Sequence, residues 1–102
     1  MRNIKVTIVE DHDMTRMGLS FALSNSGCVD VLGTSADGQE GVEQALELKP
    51  NLVIMDIGLP TIDGIEATRK IKNANPDIKV IMNTSRDKED DIRDSFAAGA
   101  DG

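Results

Sequence analysis

The sequence predicts an α/β domain in which a parallel sheet carries helices on both faces. Three observations lead there. Four short β-rich runs recur: "IKVTIV" (Ile4–Val9), "CVDVLGT" (Cys28–Thr34), "NLVIMD" (Asn51–Asp56) and "IKVIMNT" (Ile78–Thr84). Segments with helical spacing of apolar residues lie between and after them. The resulting order, βαβαβαβα, demands crossover connections, and these are right-handed and place helices over a parallel sheet.

Each element has its own local reason. The third and fourth runs hold apolar stretches that do not alternate, as in strands covered on both faces. The second alternates Val29, Val31 and Gly33 against Asp30 and Leu32 and reads as an edge strand. The first helix is expected over Asp13–Ser26, with Met14, Met17, Phe21 and Ala22 at helical intervals and Gly27 as its stop. The second spans Asp37–Leu48, carries Gly41, Val42, Ala45 and Leu46, and is barred from continuing by Pro50. The third spans Asp63–Ala74, with Ile65, Thr68 and Ile71 on one side. Arg69, Lys70 and Lys72 stand near its end, where the helix dipole favours cations. The fourth spans Asp87–Ala98. It opens on the acidic cluster Asp87, Glu89, Asp90 and Asp91, read as a solvated helix start, and stops at Gly99.

Composition narrows the function. At 102 residues the chain makes one domain, and with only Phe21 and Phe96 as aromatics its core must come from Ile, Val, Leu, Met and Ala. Met14, Met17, Met55 and Met82 are accordingly read as core filler. A formal net charge of −7 would repel phosphate backbones and anionic membranes, so this segment is not expected to bind nucleic acid or membrane. The one cysteine, Cys28, excludes an internal disulfide, fits a reducing compartment and reads as a small strand-edge hydrophobe. The first apolar run is too short and too polar for a signal peptide or a membrane span, which makes a cytoplasmic location the expectation.

The chemistry is expected where open α/β sheets bind ligands, outside the carboxyl ends of the strands at the point where strand order reverses. The first strand ends in Val9-Glu10-Asp11-His12-Asp13 and the third in Asp56. If those strands are neighbours, Glu10, Asp11 and Asp56 converge. Carboxylates so placed repel one another unless a cation sits among them, and hard oxygen ligands suit Mg²⁺. A carboxylate beside such an ion could attack a phosphoryl group. Gly58 would let the loop backbone approach, Pro60 would stiffen the turn, and Asp63 would cap the following helix. Thr84, at the fourth strand's end, could donate a hydrogen bond to a phosphoryl oxygen. Asp13 is read as the first helix's cap and His12 as a solvated loop histidine.

Together, "VEDHD", "MDIGLPTIDG", "IMNTS" and "AAGADG" resemble the receiver domain of two-component response regulators. "VEDHDMTRMGL" and "DGIEATRKIK" lean towards the NarL/FixJ group. The resemblance implies a flavodoxin-like (CheY-like) doubly wound parallel sheet, strand order 2-1-3-4, with the fifth strand absent from this chain. It implies Asp56 as phospho-acceptor and Thr84 as switch hydroxyl. Glu10, Asp11, Asp56 and the main-chain carbonyl of Gly58 would hold Mg²⁺, and Pro60 and Gly64 match structural loop positions. It further implies a signalling domain rather than an enzyme, limited to self-phosphorylation and slow self-dephosphorylation. A sensor histidine kinase would be its partner and transcription its output, through a helix-turn-helix DNA-binding domain in the full-length protein. Homodimerisation is left open.

Receivers continue past "GADG" into a fifth strand and helix that carry an aromatic switch residue and a lysine touching the phosphoryl group. Residues 1–102 thus read as a C-terminally incomplete receiver, and the fourth strand as an apolar edge needing cover from a partner chain, a swapped element or further residues. Asn83 also replaces the apolar residue common before the threonine. Two alternatives stand beside this reading. A haloacid-dehalogenase-like phosphatase also forms an aspartyl phosphate, but usually carries a second acid where this chain has Gly58. A flavodoxin-like flavin module wants a Ser/Thr/Gly-rich loop after the first strand, where this chain has the acidic "EDHDM".

Overall fold

The computed structural model describes residues 3–83 and 89–102, without the side chains of 89–92. Its elements follow in strict alternation: β1 (Ile4–Val9), α1 (Asp13–Ser24), β2 (Val29–Ser35), α2 (Gly38–Leu48), β3 (Leu52–Met55), α3 (Gly64–Ala74), β4 (Lys79–Met82) and α4 (Glu89–Ala97). Thr84, Ser85 and Asp87 lie outside the described residues.

The helix starts are set by short acidic side chains. Asp37 and Asp63 both stand just ahead of their helices in extended conformation, and their carboxylates accept from the amides of Glu40 at 2.7 Å and Glu66 at 2.8 Å. Each satisfies an amide that the first turn leaves unpaired. Asp13 does not play that part. The Arg16 amide donates to the His12 carbonyl, so His12 occupies the cap position, without a side-chain bond, and the helix runs Asp13–Ser24, ending two residues short of the expected Ser26. Asp13 is left as the first helical residue, paired with Arg16 at 2.6 Å. At the far end of α2, Lys49 turns left-handed with φ 51° and returns its amide to Ala45, and Pro50 then forbids another turn.

All strands are parallel, in the order β2-β1-β3-β4. β2 is an edge, as its alternation predicts. From β1 the chain moves first outward to β2 and then back across to β3. Right-handed crossovers therefore place α1 on one face and α2 and α3 on the other. The second face holds the main core: Val9, Val53, Met55 and Val80 from the sheet, Val42 and Ala45 from α2, and Ala67 and Ile71 from α3, with Ile78 beneath.

The opposite face departs from expectation. β3 and β4 are not covered equally on both sides: their burial alternates, and Ile81 is exposed. α1, which packs on β1 and β2, buries no residue completely, and Met14, Met17 and Phe21 all point to solvent, Phe21 with 73% of its surface accessible. Met55 fills the core and Met82 packs against it, but Met14 and Met17 do not. The physical reason is geometric. A single helix over β1 and β2 can press only one stripe on the sheet, and the residues at positions 14, 17 and 21 lie on its outer flank. Cys28 is also exposed, just ahead of β2, with its sulfur 3.4 Å from the Ser26 hydroxyl.

The outer edge of β4 is not bare either. The Asp101 amide donates to the Val80 carbonyl at 2.8 Å, and the Met82 amide to the Gly102 carbonyl at 2.9 Å. The expected covering of this edge therefore begins with the chain's own residues. Asp101 fixes the arrangement: its Oδ2 accepts from the Val80 amide and from the Lys72 ammonium, both at 2.9 Å. Lys72 also donates to the carbonyls of Pro76 and Ile78, so it ties α3, the α3–β4 turn and the last residues together.

The Val80 amide, and then the Lys72 ammonium, hold the Asp101 carboxyl below its ordinary pKa of 3.8. A carboxyl whose pKa is lowered on folding contributes stability that is present above 3.8 and is lost as pH falls through the lower, folded value. Asp101→Ala should cost about 1 to 2 kcal/mol in urea melts at pH 7. The gap from the parent should persist down to pH 3.8 and close only as pH falls further, through the lowered value, and a gap independent of pH would contradict the role given to Asp101.

Candidate metal centre

β1 and β3 are adjacent and in register from Val6 opposite Leu52 to Val9 opposite Met55. The next residues on each chain therefore emerge side by side. Asp56 remains held to β1 through its amide, which donates to the Val9 carbonyl at 3.0 Å, and the Glu10 amide is held to β2 through Ser35 at 3.0 Å. This convergence places one ligand atom from each of Glu10, Asp11, His12 and Asp56 within 4.8 Å of all the others.

The cluster is short of positive charge. Glu10 is buried, with 5% of its surface accessible. Asp11 Oδ1 is buried without a hydrogen bond; its 3.3 Å approach to His12 Nδ1 is a charge contact of unsuitable geometry for one. Asp56 Oδ1 accepts the Ile57 amide at 2.9 Å. Even so, burial first, and then the charge on Glu10, push the Asp56 carboxyl above its ordinary pKa. The His12 ring answers the same field. Its hydrogen bond to Glu10, followed by the charges on Asp11 and Glu10, raises its pKa. An orphaned carboxylate oxygen among converging acids is the donor set that a hard divalent cation such as Mg²⁺ satisfies.

The predicted site residues divide as follows. Glu10, Asp11 and Asp56 come together as expected. Gly58 lies in the same β3–α3 loop, two residues beyond Asp56. Thr84 lies outside the described residues. Asp13 stays out of the cluster, exposed and paired with Arg16. His12, read from sequence as a solvated loop residue, is exposed but aims Nδ1 at two carboxylates, 3.3 Å from Glu10 Oε2 and 3.3 Å from Asp11 Oδ1. Arg16 was not anticipated. Its guanidinium reaches back to the Glu10 carbonyl at 2.9 Å and so braces the loop that carries the acids. The pairing with Asp13 three residues earlier was legible as a helical neighbour contact, but the reach to Glu10 was not.

The loop after Asp56 is latched from two sides. The Gly38 amide donates to the Pro60 carbonyl at 3.1 Å, and the Gln39 amide to the Thr61 hydroxyl at 3.1 Å, so the start of α2 holds it. Gly64 lets α3 begin directly against it: a Cβ there would fall on the Asp56 carbonyl oxygen, which cannot yield without moving the aspartate.

Comparison with known proteins agrees with this geometry. Residues 6–102 match the family described as "Response regulator receiver domain". Among curated relatives, the "Response regulator protein VraR" of Staphylococcus saprophyticus is 41% identical over 98 residues, which covers 96% of this chain and 47% of that protein. The chain thus spans about half the length of the curated relatives it matches. Two solved structures superpose closely. The signal receiver domain of the putative response regulator NarL from Mycobacterium tuberculosis gives a TM-score of 0.94 at 25% identity, covering 98% of this chain and 81% of that one. The CheX-CheY-BeF3-Mg+2 complex from Borrelia burgdorferi gives 0.90 at 28% identity, covering 98% and 75%. The chain belongs to the response regulator receiver domain family, with relatives in the NarL/LuxR group, and its fold is the CheY-like doubly wound sheet. The family match lends the phosphatase and flavin alternatives no support. Among the described residues no helix is long and apolar enough to cross a membrane.

Two outcomes follow from the crowding. Asp56→Asn removes one of the clustered charges and should raise the melting temperature by a few degrees without divalent ions. Added Mg²⁺ should stabilise the parent more than the variant, and a variant that melts lower than the parent would refute the account. Gly64→Ala should cost at least about 2 kcal/mol in urea melts and weaken Mg²⁺ binding. Parent-like stability would show that the loop does not require a bare Cα there.

Proposed function

We propose that this chain is the phospho-accepting half of a response regulator, with Asp56 as the residue modified. The carrying observation is the placement of Asp56: a carboxylate at a strand end, among acids that call for a cation. Glu10, Asp11, Asp56 and the Gly58 carbonyl would hold Mg²⁺. When bound, the ion neutralises charge on the transferring phosphoryl group and on the acids around it.

The residues do the rest. The Ile57 amide engages Asp56 Oδ1 and leaves Oδ2 as the oxygen for bond formation. In the proposed transfer that oxygen bonds to phosphorus as the P–N bond of a kinase phosphohistidine breaks, and the imidazole departs with the bonding pair. Arg16 and the two strand ladders keep the acids in place, so little reorganisation is required during the step. Thr84 would sense the product by donating its hydroxyl to a phosphoryl oxygen. A histidine kinase as donor, and DNA binding by a second domain of the full-length protein as output, follow from the likeness to the NarL/FixJ group. So does an active role limited to self-phosphorylation and slow self-dephosphorylation.

Asp56→Asn should abolish uptake of acid-labile phosphate from acetyl phosphate with Mg²⁺, and unchanged labelling would defeat the assignment. Glu10→Ala combined with Asp11→Ala should remove Mg²⁺ binding by calorimetry; a titration matching the parent would show that the acids do not hold the ion.

A further inference from the structure

The metal pocket of this chain contains a nitrogen as well as oxygens. We propose that His12 is a further ligand of the divalent ion, through Nδ1, and that it gives the site affinity for borderline ions such as Co²⁺, Ni²⁺ and Zn²⁺ above what the carboxylates alone would supply. The inference rests on the reading of Glu10, Asp11 and Asp56 as a metal site.

The geometry comes first. Ligands at about 2.1 Å from an octahedral ion stand about 3.0 Å apart along an edge and about 4.2 Å apart across it. His12 Nδ1 lies 3.3 Å from Glu10 Oε2 and 3.3 Å from Asp11 Oδ1, and the whole set, Asp56 included, falls within 4.8 Å. The two 3.3 Å spacings are close to an octahedral edge, and the set as a whole is slightly wider than the trans spacing, so the side chains would draw in by a few tenths of an ångström on an ion. The ring's backbone is already fixed. His12 stands at the cap of α1, its carbonyl accepts from the Arg16 amide at 2.9 Å, and its own amide donates to Glu10 Oε2 at 3.0 Å. Only two side-chain torsions remain to be set, so ligation costs little entropy.

The chemistry comes second. Mg²⁺ prefers oxygen and holds its waters, so an imidazole adds little to its binding. The later first-row ions accept imidazole readily and follow the order Mn²⁺ < Co²⁺ < Ni²⁺. As a ligand the ring would carry its proton on Nε2, which faces solvent on this exposed side chain. The rival account makes the ring a mere counter-charge, an imidazolium held by two carboxylates, which an incoming cation would displace. The two accounts predict opposite fates for Nδ1 when metal binds.

His12 is the sole histidine, so its ring signals need no assignment. Titrating ¹⁵N-histidine-labelled protein with Zn²⁺ should shift the Nδ1 resonance to that of a metal-bound imidazole, saturating at one ion per chain. The ratio of Ni²⁺ to Mg²⁺ affinity by calorimetry should fall at least about tenfold in His12→Ala, and His12→Gln should not restore it. Mg²⁺ binding by the parent, with Nδ1 unligated in Zn²⁺ and the Ni²⁺ to Mg²⁺ ratio unchanged in His12→Ala, overturns the His12 assignment alone. Failure of the parent to bind Mg²⁺ overturns the underlying metal site and this inference with it.

Discussion

Acidic side chains from two strand ends are forced into one small volume, and the rest of the domain is arranged to tolerate that. Left to itself, a chain would separate Glu10, Asp11 and Asp56, since like charges so close repel strongly in a partly buried setting. Here they cannot separate. β1 and β3 pair in register up to the residues before the acids, and the Asp56 amide still binds the Val9 carbonyl. The cost that remains takes two forms: burial first, and then the charge on Glu10, push the Asp56 carboxyl up, and a buried Asp11 oxygen lacks a donor. Such stored unfavourable energy is typical of functional sites, where a ligand relieves what the fold imposes.

The supporting structure serves that corner. The core between the sheet and α2 and α3 makes the sheet rigid, and the latch from α2 to Pro60 and Thr61 fixes the loop after Asp56. Gly64 allows α3 to start against the aspartate's own backbone. On the far side of the acids, Arg16 crosses from α1 to the Glu10 carbonyl. A second set of bonds, centred on Lys72 and Asp101, holds residues 101 and 102 against the β4 edge. α3 takes part in both, through Gly64 at its start and Lys72 near its end, so the site and the edge share one helix.

Family membership and site chemistry meet at one point. Asp56, the acceptor proposed above, stands where burial, neighbouring charge and backbone hydrogen bonding all act on a single oxygen pair. The helix-capping aspartates Asp37 and Asp63 show what an aspartate does when its surroundings are ordinary: it accepts an amide and ends its role there. Asp56 differs in its neighbours, not in its residue type.

Alternation of short apolar runs with helical segments was enough to specify the sheet, because a βαβ chain has few ways to bury its faces. The edge position of β2 was legible in its period of two, and the cap at Asp63 in its place before a helix. The acids at strand ends were legible too, since sheet-end chemistry depends on which residue follows the last apolar one. Other features depended on distances that no spacing encodes. Met14 and Met17 share a helical stripe with Phe21, yet which flank of α1 meets the sheet is set by the crossover and the packing, and that flank proved to be the other one. His12 took the cap position expected of Asp13, because the Arg16 amide bonds the His12 carbonyl, and Asp13 became the first helical residue. Arg16, Lys72 and Asp101 act across long separations, so only the tertiary structure could bring their donors and acceptors together.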